Sequence, residues 1–255
     1  MIDKRKFYIN GKWINPTINN DLEIINPSNE SPYAFISLGN KDDVNMAVDA
    51  AKNAFLEWSQ VDKKTKIILL EKLSKIYKSR WDEITNTISE EMGAPLDWSS
   101  SAQTSSGFDH INDFIKRLKE FEFEKKFEDK SNNYIVYEPI GVCGLITPWN
   151  WPINQITLKV IPALASGCTM ILKPSEIAPL SGMLFAEIID EAGFPPGVFN
   201  LINGDGDGVG TDLSSHPDID MISFTGSTRA GRLISKNAAN NIKRVCLELG
   251  GKGAN

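Results

Sequence analysis

From Pro139 onward, short apolar runs alternate with longer segments whose apolar positions recur every three or four residues. The runs, at 142–147, 168–173, 198–202, 221–225 and 244–247, read as strands. The segments between them, near 152–166, 179–192, 209–215 and 229–239, read as helices. Strands that are apolar throughout, instead of alternating, imply a parallel sheet covered on both faces. The expected fold class is therefore α/β with a doubly wound parallel sheet, whose ligands bind at the carboxyl ends of the strands.

The first part of the chain has a different rhythm. Apolar residues 7–9 lead through Asn10-Gly11, a strong hairpin turn, into 12–14, and another strand at 22–25 ends at Asn26-Pro27. From Asn40, an expected N-cap with Asp43 in the first turn, the period becomes helical, with Val44, Ala47, Val48, Ala51, Phe55 and Trp58 on one stripe. A second helix from about residue 65 is expected to bury Ile68, Leu69, Leu73, Ile76 and Tyr77. A third carries Ile84, Ile88 and Met92 and stops at Gly93. A fourth spans about 99–119, with Phe108, Ile111, Ile115 and Leu118 inward. Residues 119–130 are dense in charge yet hold Phe121, Phe123 and Phe127. Two readings stand: a solvated excursion, or a strand excursion continuing through 134–137. The expected layout is strands and a helical layer over 1–118, an excursion over 119–138, and a βα core over 139–255.

Composition narrows the function classes. The 255 residues are 41% hydrophobic and 24% charged, with net charge −6 and a pI near 5.1, ordinary for a globular chain and unfavourable for nucleic acid or anionic membranes. Residues 160–172 form the most apolar uncharged stretch, but they include Pro162 and Gly167 and fall short of the roughly 20 residues of a membrane span. The charged start is not followed by an apolar signal segment, so a cytoplasmic protein is expected. Cys143, Cys168 and Cys246 sit in apolar runs without a C-x-x-C pattern, and His110 and His216 are not spaced as metal ligands. The expectation is buried thiols and no metal.

Chemistry-bearing residues gather where the strands end. Gly204-Asp205-Gly206-Asp207-Gly208-Val209-Gly210 does not fit G-x-G-x-x-G in either register; its Gly206 and Gly210 suit a flexible turn or a nucleotide border equally. Phe224-Thr225-Gly226-Ser227 breaks a strand before a helix, so Ser227 is either a plain N-cap or part of an anion site at a helix N-terminus. Lys173-Pro174-Ser175-Glu176 brings a donor and an acceptor to a strand end, as a surface ion pair or as partners for a ribose diol. In Thr147-Pro148-Trp149-Asn150-Trp151-Pro152, two prolines fix the backbone around an amide suited to an oxyanion. In Leu247-Glu248-Leu249-Gly250-Gly251-Lys252, a strand delivers a carboxylate into a glycine turn, as a general base that burial would tune toward neutral pKa.

Together the Thr-Pro-Trp-Asn-Trp-Pro and Leu-Glu-Leu-Gly-Gly-Lys segments resemble the NAD(P)-dependent aldehyde dehydrogenase superfamily, along nearly the whole chain. The resemblance implies oxidation of an aldehyde to its acid through a cysteine thioester, with Asn150 holding the oxyanion and Glu248 activating water. It implies a cofactor site of Thr147, Pro148, Trp149, Lys173, Ser175, Glu176, Gly206, Gly210, Phe224, Thr225, Gly226, Ser227, Leu249 and Gly250. The Glu176 carboxylate favours NAD over NADP. Trp151, Asn154, Gln155 and Leu158 are expected to line part of an aldehyde tunnel, and Lys159 is either near the site or a solvated helix lysine. The 119–138 excursion becomes an arm reaching a neighbouring subunit of a homodimer or homotetramer. In that family the nucleophilic cysteine follows the Glu motif in a Gly-Gln-x-Cys context, which this sequence lacks. The chain thus reads as a cofactor-binding half without catalytic domain or nucleophile, or as a non-catalytic NAD-binding or partner-binding module derived from such an enzyme.

Overall fold

The computed structural model describes residues 1–128 and 132–253. The chain opens with β1 (Ile2–Asp3), β2 (Phe7–Ile9) and β3 (Lys12–Ile14). Asn10 and Gly11 both adopt positive φ, 53° and 72°, which fits the turn signal read from the sequence and joins β2 to β3 as an antiparallel hairpin. β4 (Asp21–Asn26) and β5 (Ser31–Ser37) pair antiparallel, and β1 joins β5 to complete a small sheet. β1 and β5 have no counterpart in the sequence reading.

The helical layer follows as α1 (Lys41–Trp58), α2 (Lys63–Ser79), α3 (Trp81–Met92), the single turn α4 (Leu96–Trp98) and α5 (Ser105–Glu120). Asn40 caps α1 in a reciprocal box with Asp43. Asp62 caps α2, which begins two residues before the expected start. The buried stripe of α2 is also rotated from expectation: Lys66, Leu70, Leu73 and Tyr77 face inward, while Ile68 is exposed. The fourth expected helix is broken by a wide π turn at Ser99–Thr104. The charged excursion forms a separate antiparallel hairpin, β6 (Glu124–Lys126) with β7 (Tyr134–Val136). Part of that segment, 129–131, lies outside the described residues, as do 254 and 255.

The βα core then runs as β8 (Val142–Ile146), α6 (Pro152–Ser166), β9 (Thr169–Lys173), α7 (Leu180–Ala192), β10 (Phe199–Leu201), α8 (Thr211–Ser215), β11 (Met221–Gly226), α9 (Thr228–Ala239) and β12 (Arg244–Leu249). Its sheet order is β12-β11-β8-β9-β10-β2-β3, with the first five strands parallel and the N-terminal hairpin added antiparallel at the far edge. The sheet is thus shared between the two ends of the described chain. One face packs Val142, Ile146, Ile171, Ile222 and Phe224 against α1, α8 and α9. The other packs Cys143, Leu145, Met170 and Leu172 against a core that includes residues of α2, α6 and α7. Gly231 lets α9 approach β12 closely, since a Cβ there would lie 2.7 Å from Leu249 Cδ2.

β8, β9 and β10 are buried throughout, as continuous apolar runs require. β11 and β12 are not. Val245 and Leu247 tuck under α9, whereas Arg244, Cys246 and Glu248 are exposed on the opposite face. Among the described residues no helix is long and apolar enough to cross a membrane.

Candidate functional site

Five chain segments leave the carboxyl ends of the parallel strands, and they enclose two clefts that meet over the sheet. The first, of about 310 Å³, lies toward α8 and α9. Thr147, Pro148, Trp149, Lys173, Ser175, Glu176, Gly206, Gly210, Phe224, Thr225, Gly226 and Ser227 all line it. The second, of about 680 Å³, lies toward α6 and is lined by Asn150, Gln155, Leu158, Lys159, Ser223, Cys246, Glu248, Leu249 and Gly250. Pro148, Trp149, Thr225, Gly226 and Ser227 line both.

In the first cleft the charged groups are held firmly. Lys173 ends β9 at 3% exposure; its Nζ donates to the Pro174 carbonyl at 3.1 Å and to Glu176 Oε2 at 3.3 Å. Burial pushes its ammonium pKa down, with the charges of Glu176 and Asp205 opposing that shift. Ser227 is the N-cap of α9, and its Oγ accepts from Ala230 N at 3.2 Å. The oxygen thus caps the helix while its O–H stays free to donate, so an anion at this end would meet that hydroxyl, the free N–H groups of the first turn and the dipole. The glycine loop is a π turn over Gly206–Gly210, closed by Asp205, whose Oδ1 accepts from Gly208 N at 2.6 Å. Two hydroxyls on the cleft walls, Thr147 Oγ1 and Thr225 Oγ1, are buried without a hydrogen-bond partner among the described residues. Buried hydroxyls left unsatisfied are costly, so a polar ligand is what this wall fits.

The second cleft opens on the uncovered face of β11 and β12. Register pairs Ser223 with Cys246 and Thr225 with Glu248. Lys159 reaches in from α6: it is 8% exposed and its Nζ donates to Ser223 Oγ at 2.9 Å. It is not a solvated helix lysine. Burial lowers its pKa, and the nearby Cys246 and Glu248 act in the opposite sense. Two expectations fail here. Glu248 is exposed instead of buried, because β12 is the edge strand and nothing in the described residues covers that face. Cys246 is exposed for the same reason, whereas Cys143 and Cys168 are buried as expected.

Of the four expected tunnel residues, Gln155 and Leu158 line the second cleft. Asn154 instead pairs with His110 of α5 at 2.9 Å through Nδ2 and Nε2, and Trp151 packs edge-on against Trp98 with ring centres 6.1 Å apart. Asn150 itself is exposed in the loop between β8 and α6, with Pro152 opening that helix. Sequence reasoning took Cys246 for a buried thiol, where the alternation of an edge strand would have exposed it, and passed over Ser223 of the neighbouring β11. It also passed over Leu233 and Asn237 of the first cleft, which lie in no motif, and singled out only the glycines around Asp207. Among the described residues no cluster of side chains suits a metal ion.

Comparisons with known proteins show the family of the chain. Residues 13–255 match the model of the aldehyde dehydrogenase family. A 3-succinoylsemialdehyde-pyridine dehydrogenase from a Pseudomonas species is 53% identical over all of this chain, which covers 53% of that protein. A crystal structure of aldehyde dehydrogenase from Bartonella henselae superposes with a TM-score of 0.98 at 59% identity, covering 100% of this chain and 54% of that one. Aldehyde dehydrogenase C from Pseudomonas syringae, a mutant crystallised with NAD+ and octanal, gives a TM-score of 0.96 at 44% identity and 51% coverage of its chain. The chain spans about half the length of these relatives. With the match running from the N-terminal hairpin through the whole parallel sheet and both clefts, the chain belongs to the aldehyde dehydrogenase family.

Proposed function

We propose that this chain is the cofactor-binding portion of an NAD-dependent enzyme that oxidises an aldehyde to its carboxylic acid. The observation that carries the reading is the continuity of the two clefts: Lys173, Glu176 and Ser227 stand in one, Asn150 and Glu248 in the other, and five residues belong to both walls. A dinucleotide laid across the strand ends would have its adenosine ribose at Lys173 and Glu176 and its pyrophosphate at Gly226 and Ser227. When bound, the nicotinamide supplies a hydride acceptor. The Asn150 amide donates to the aldehyde oxygen as it gains negative charge on attack at its carbon, and the Glu248 carboxylate takes a proton from the water that releases the acid. Lys159, anchored on Ser223, places a cation beside Glu248.

The remaining features of the reading are part of the same proposal. Residues 1–118 form the outer strands and helical layer, 119–138 the arm, and 139–255 the dinucleotide core. The β6–β7 arm, with Phe127, Tyr134 and Val136 exposed, pairs with a neighbouring subunit of a homodimer or homotetramer in a cytoplasmic enzyme. The nucleophile is none of the three cysteines here: Cys143 and Cys168 are buried in the sheet's core. Cys246 shares the cleft with Asn150, so it carries the one specific alternative.

Calorimetry with both cofactors tests the reading. Glu176 opposes a 2′-phosphate by charge, an effect of about 1–3 kcal/mol, so NAD should bind about 5–150-fold tighter than NADP. Glu176→Gln should narrow that gap mainly by improving NADP. Equal binding of the two would overturn the NAD assignment. In parallel, the chain with NAD and a panel of aldehydes should give no NADH above background. Turnover abolished by Cys246→Ser would make Cys246 the nucleophile.

A further inference from the structure

Helix α7 begins without a capping side chain of its own, because Pro179 occupies the N-cap position. Its first two N–H groups are taken instead by Glu91, from the last turn of α3. Leu180 N donates to Glu91 Oε2 at 2.5 Å, Ser181 N donates to Oε1 at 2.9 Å, and the Ser181 hydroxyl donates to Oε1 as well. Glu91 is 2% exposed and Ser181 is fully buried, so water does not stand in for any of these bonds. A carboxylate on the free N–H groups of a helix start satisfies the donors and complements the dipole. The capping residue stands 89 positions before Leu180, on a helix of the N-terminal layer.

The position of that cap matters because of what immediately precedes it. Residues 174–179 carry Ser175, Glu176 and Ile177 along the first cleft. Within the segment the hydrogen bonds are long, Ile177 N to Ser175 Oγ and Ala178 N to Ser175 O at 3.3 Å, and its outer bonds run to the two ends, from Lys173 Nζ to Pro174 O and Glu176 Oε2 and from Met183 N to Pro179 O. The segment is suspended between Lys173, fixed in β9, and Leu180, fixed by Glu91. Pro174 also lies against the start of α7, where a Cβ on Gly182 would sit 3.1 Å from Pro174 Cβ. Moving the helix start therefore moves the loop.

We infer that Glu91 is a positioning residue for the cofactor cleft: by capping α7 across the fold it sets where the loop holding Ser175 and Glu176 stands against a ribose diol. This deepens the reading above and rests on it. Glu91 itself lines neither cleft.

The test compares the wild-type chain, Glu91→Gln and Ser181→Ala, each titrated calorimetrically with NAD and with AMP and each melted by scanning fluorimetry. Glu91→Gln keeps the shape but turns an amide donor toward backbone donors. It should raise the Kd for NAD about tenfold or more, and that for AMP by the same factor, because both use the adenosine end. Ser181→Ala removes one of three bonds and should raise both about threefold; it carries the test should Glu91→Gln not fold. A lowered Tm with both Kd values within twofold of wild type would make Glu91 merely structural and overturn the inference, leaving the NAD reading intact. A wild-type chain that binds neither ligand would overturn the NAD reading and the inference with it.

Discussion

Lys173 and Glu248 stand at the ends of strands in the same parallel sheet, yet their circumstances are opposite. Lys173 ends a strand flanked on both sides and covered on both faces; it is buried and bonded at 3.1 and 3.3 Å. Glu248 is next to last in an edge strand covered on one face by α9, and it is exposed. The difference comes from topology more than from local sequence. A central strand gives its terminal side chain a fixed seat, while an edge strand offers one face to whatever packs there. The proposed cofactor side is thus preorganised within the described residues, and the proposed catalytic side has Lys159 in place but its floor open.

The largest expected effect would show that the two sides are separable. In the complete enzyme, Asn150→Ala should cut kcat by about 10²–10³ through loss of an oxyanion donor, with NAD affinity unchanged. Steady-state rates and calorimetry on one preparation check this; a matching loss in NAD binding would mean that the clefts act as one unit. A smaller effect, on the other side, belongs to Lys173→Met. Removing a charged donor from the first cleft should weaken NAD about 10–150-fold while kcat at saturating cofactor barely moves. An unchanged Kd would reduce the Lys173–Glu176 pair to a structural link.

The smallest effect concerns the cap that holds the cofactor side in place. Burial raises the Glu91 carboxyl to about 7, outweighing the opposing hydrogen bonds from Ser181 and Leu180. Glu90, its chain neighbour, and Tyr33, whose own pKa both carboxylates help raise, are the titratable groups beside it. The folded state then keeps a proton that the unfolded chain releases near 4.5, so Glu91 contributes most stability below that pH. The contribution falls as pH rises toward about 7 and is flat above. The Tm of wild type relative to Glu91→Gln should decline between pH 5 and pH 8 in fluorimetry; a rising difference would contradict the raised carboxyl.

Much of this was legible in the sequence, for reasons that differ by element. β8 and β9 are continuous apolar runs ended by polar residues, and their helices carry Pro at one end or Gly at the other, so their places were plain. β5 was missed because Ser31-Pro32 looks like loop and its partner β4 slips register between Ile24 and Ile25. Lys159 was ambiguous as a letter, yet it lies three residues past Ile156 and four before Ala163, both buried, which is the inward face of α6. The exposure of Glu248 and Cys246 depended on strand order, which no local pattern encodes. Glu91 was invisible because its partners are distant in sequence and its own helix reads as complete without it.

The N-terminal hairpin has a further consequence for how the sheet can grow. β2 and β3 occupy one margin with short three-residue strands, while β12 presents six residues with, among the described residues, no partner beyond β11. A second strand recruited there would use up the longer of this sheet's two margins among the described residues. Two chains meeting β12 to β12 about a twofold axis would close on themselves, and lateral extension would stop at a pair instead of propagating as a fibre.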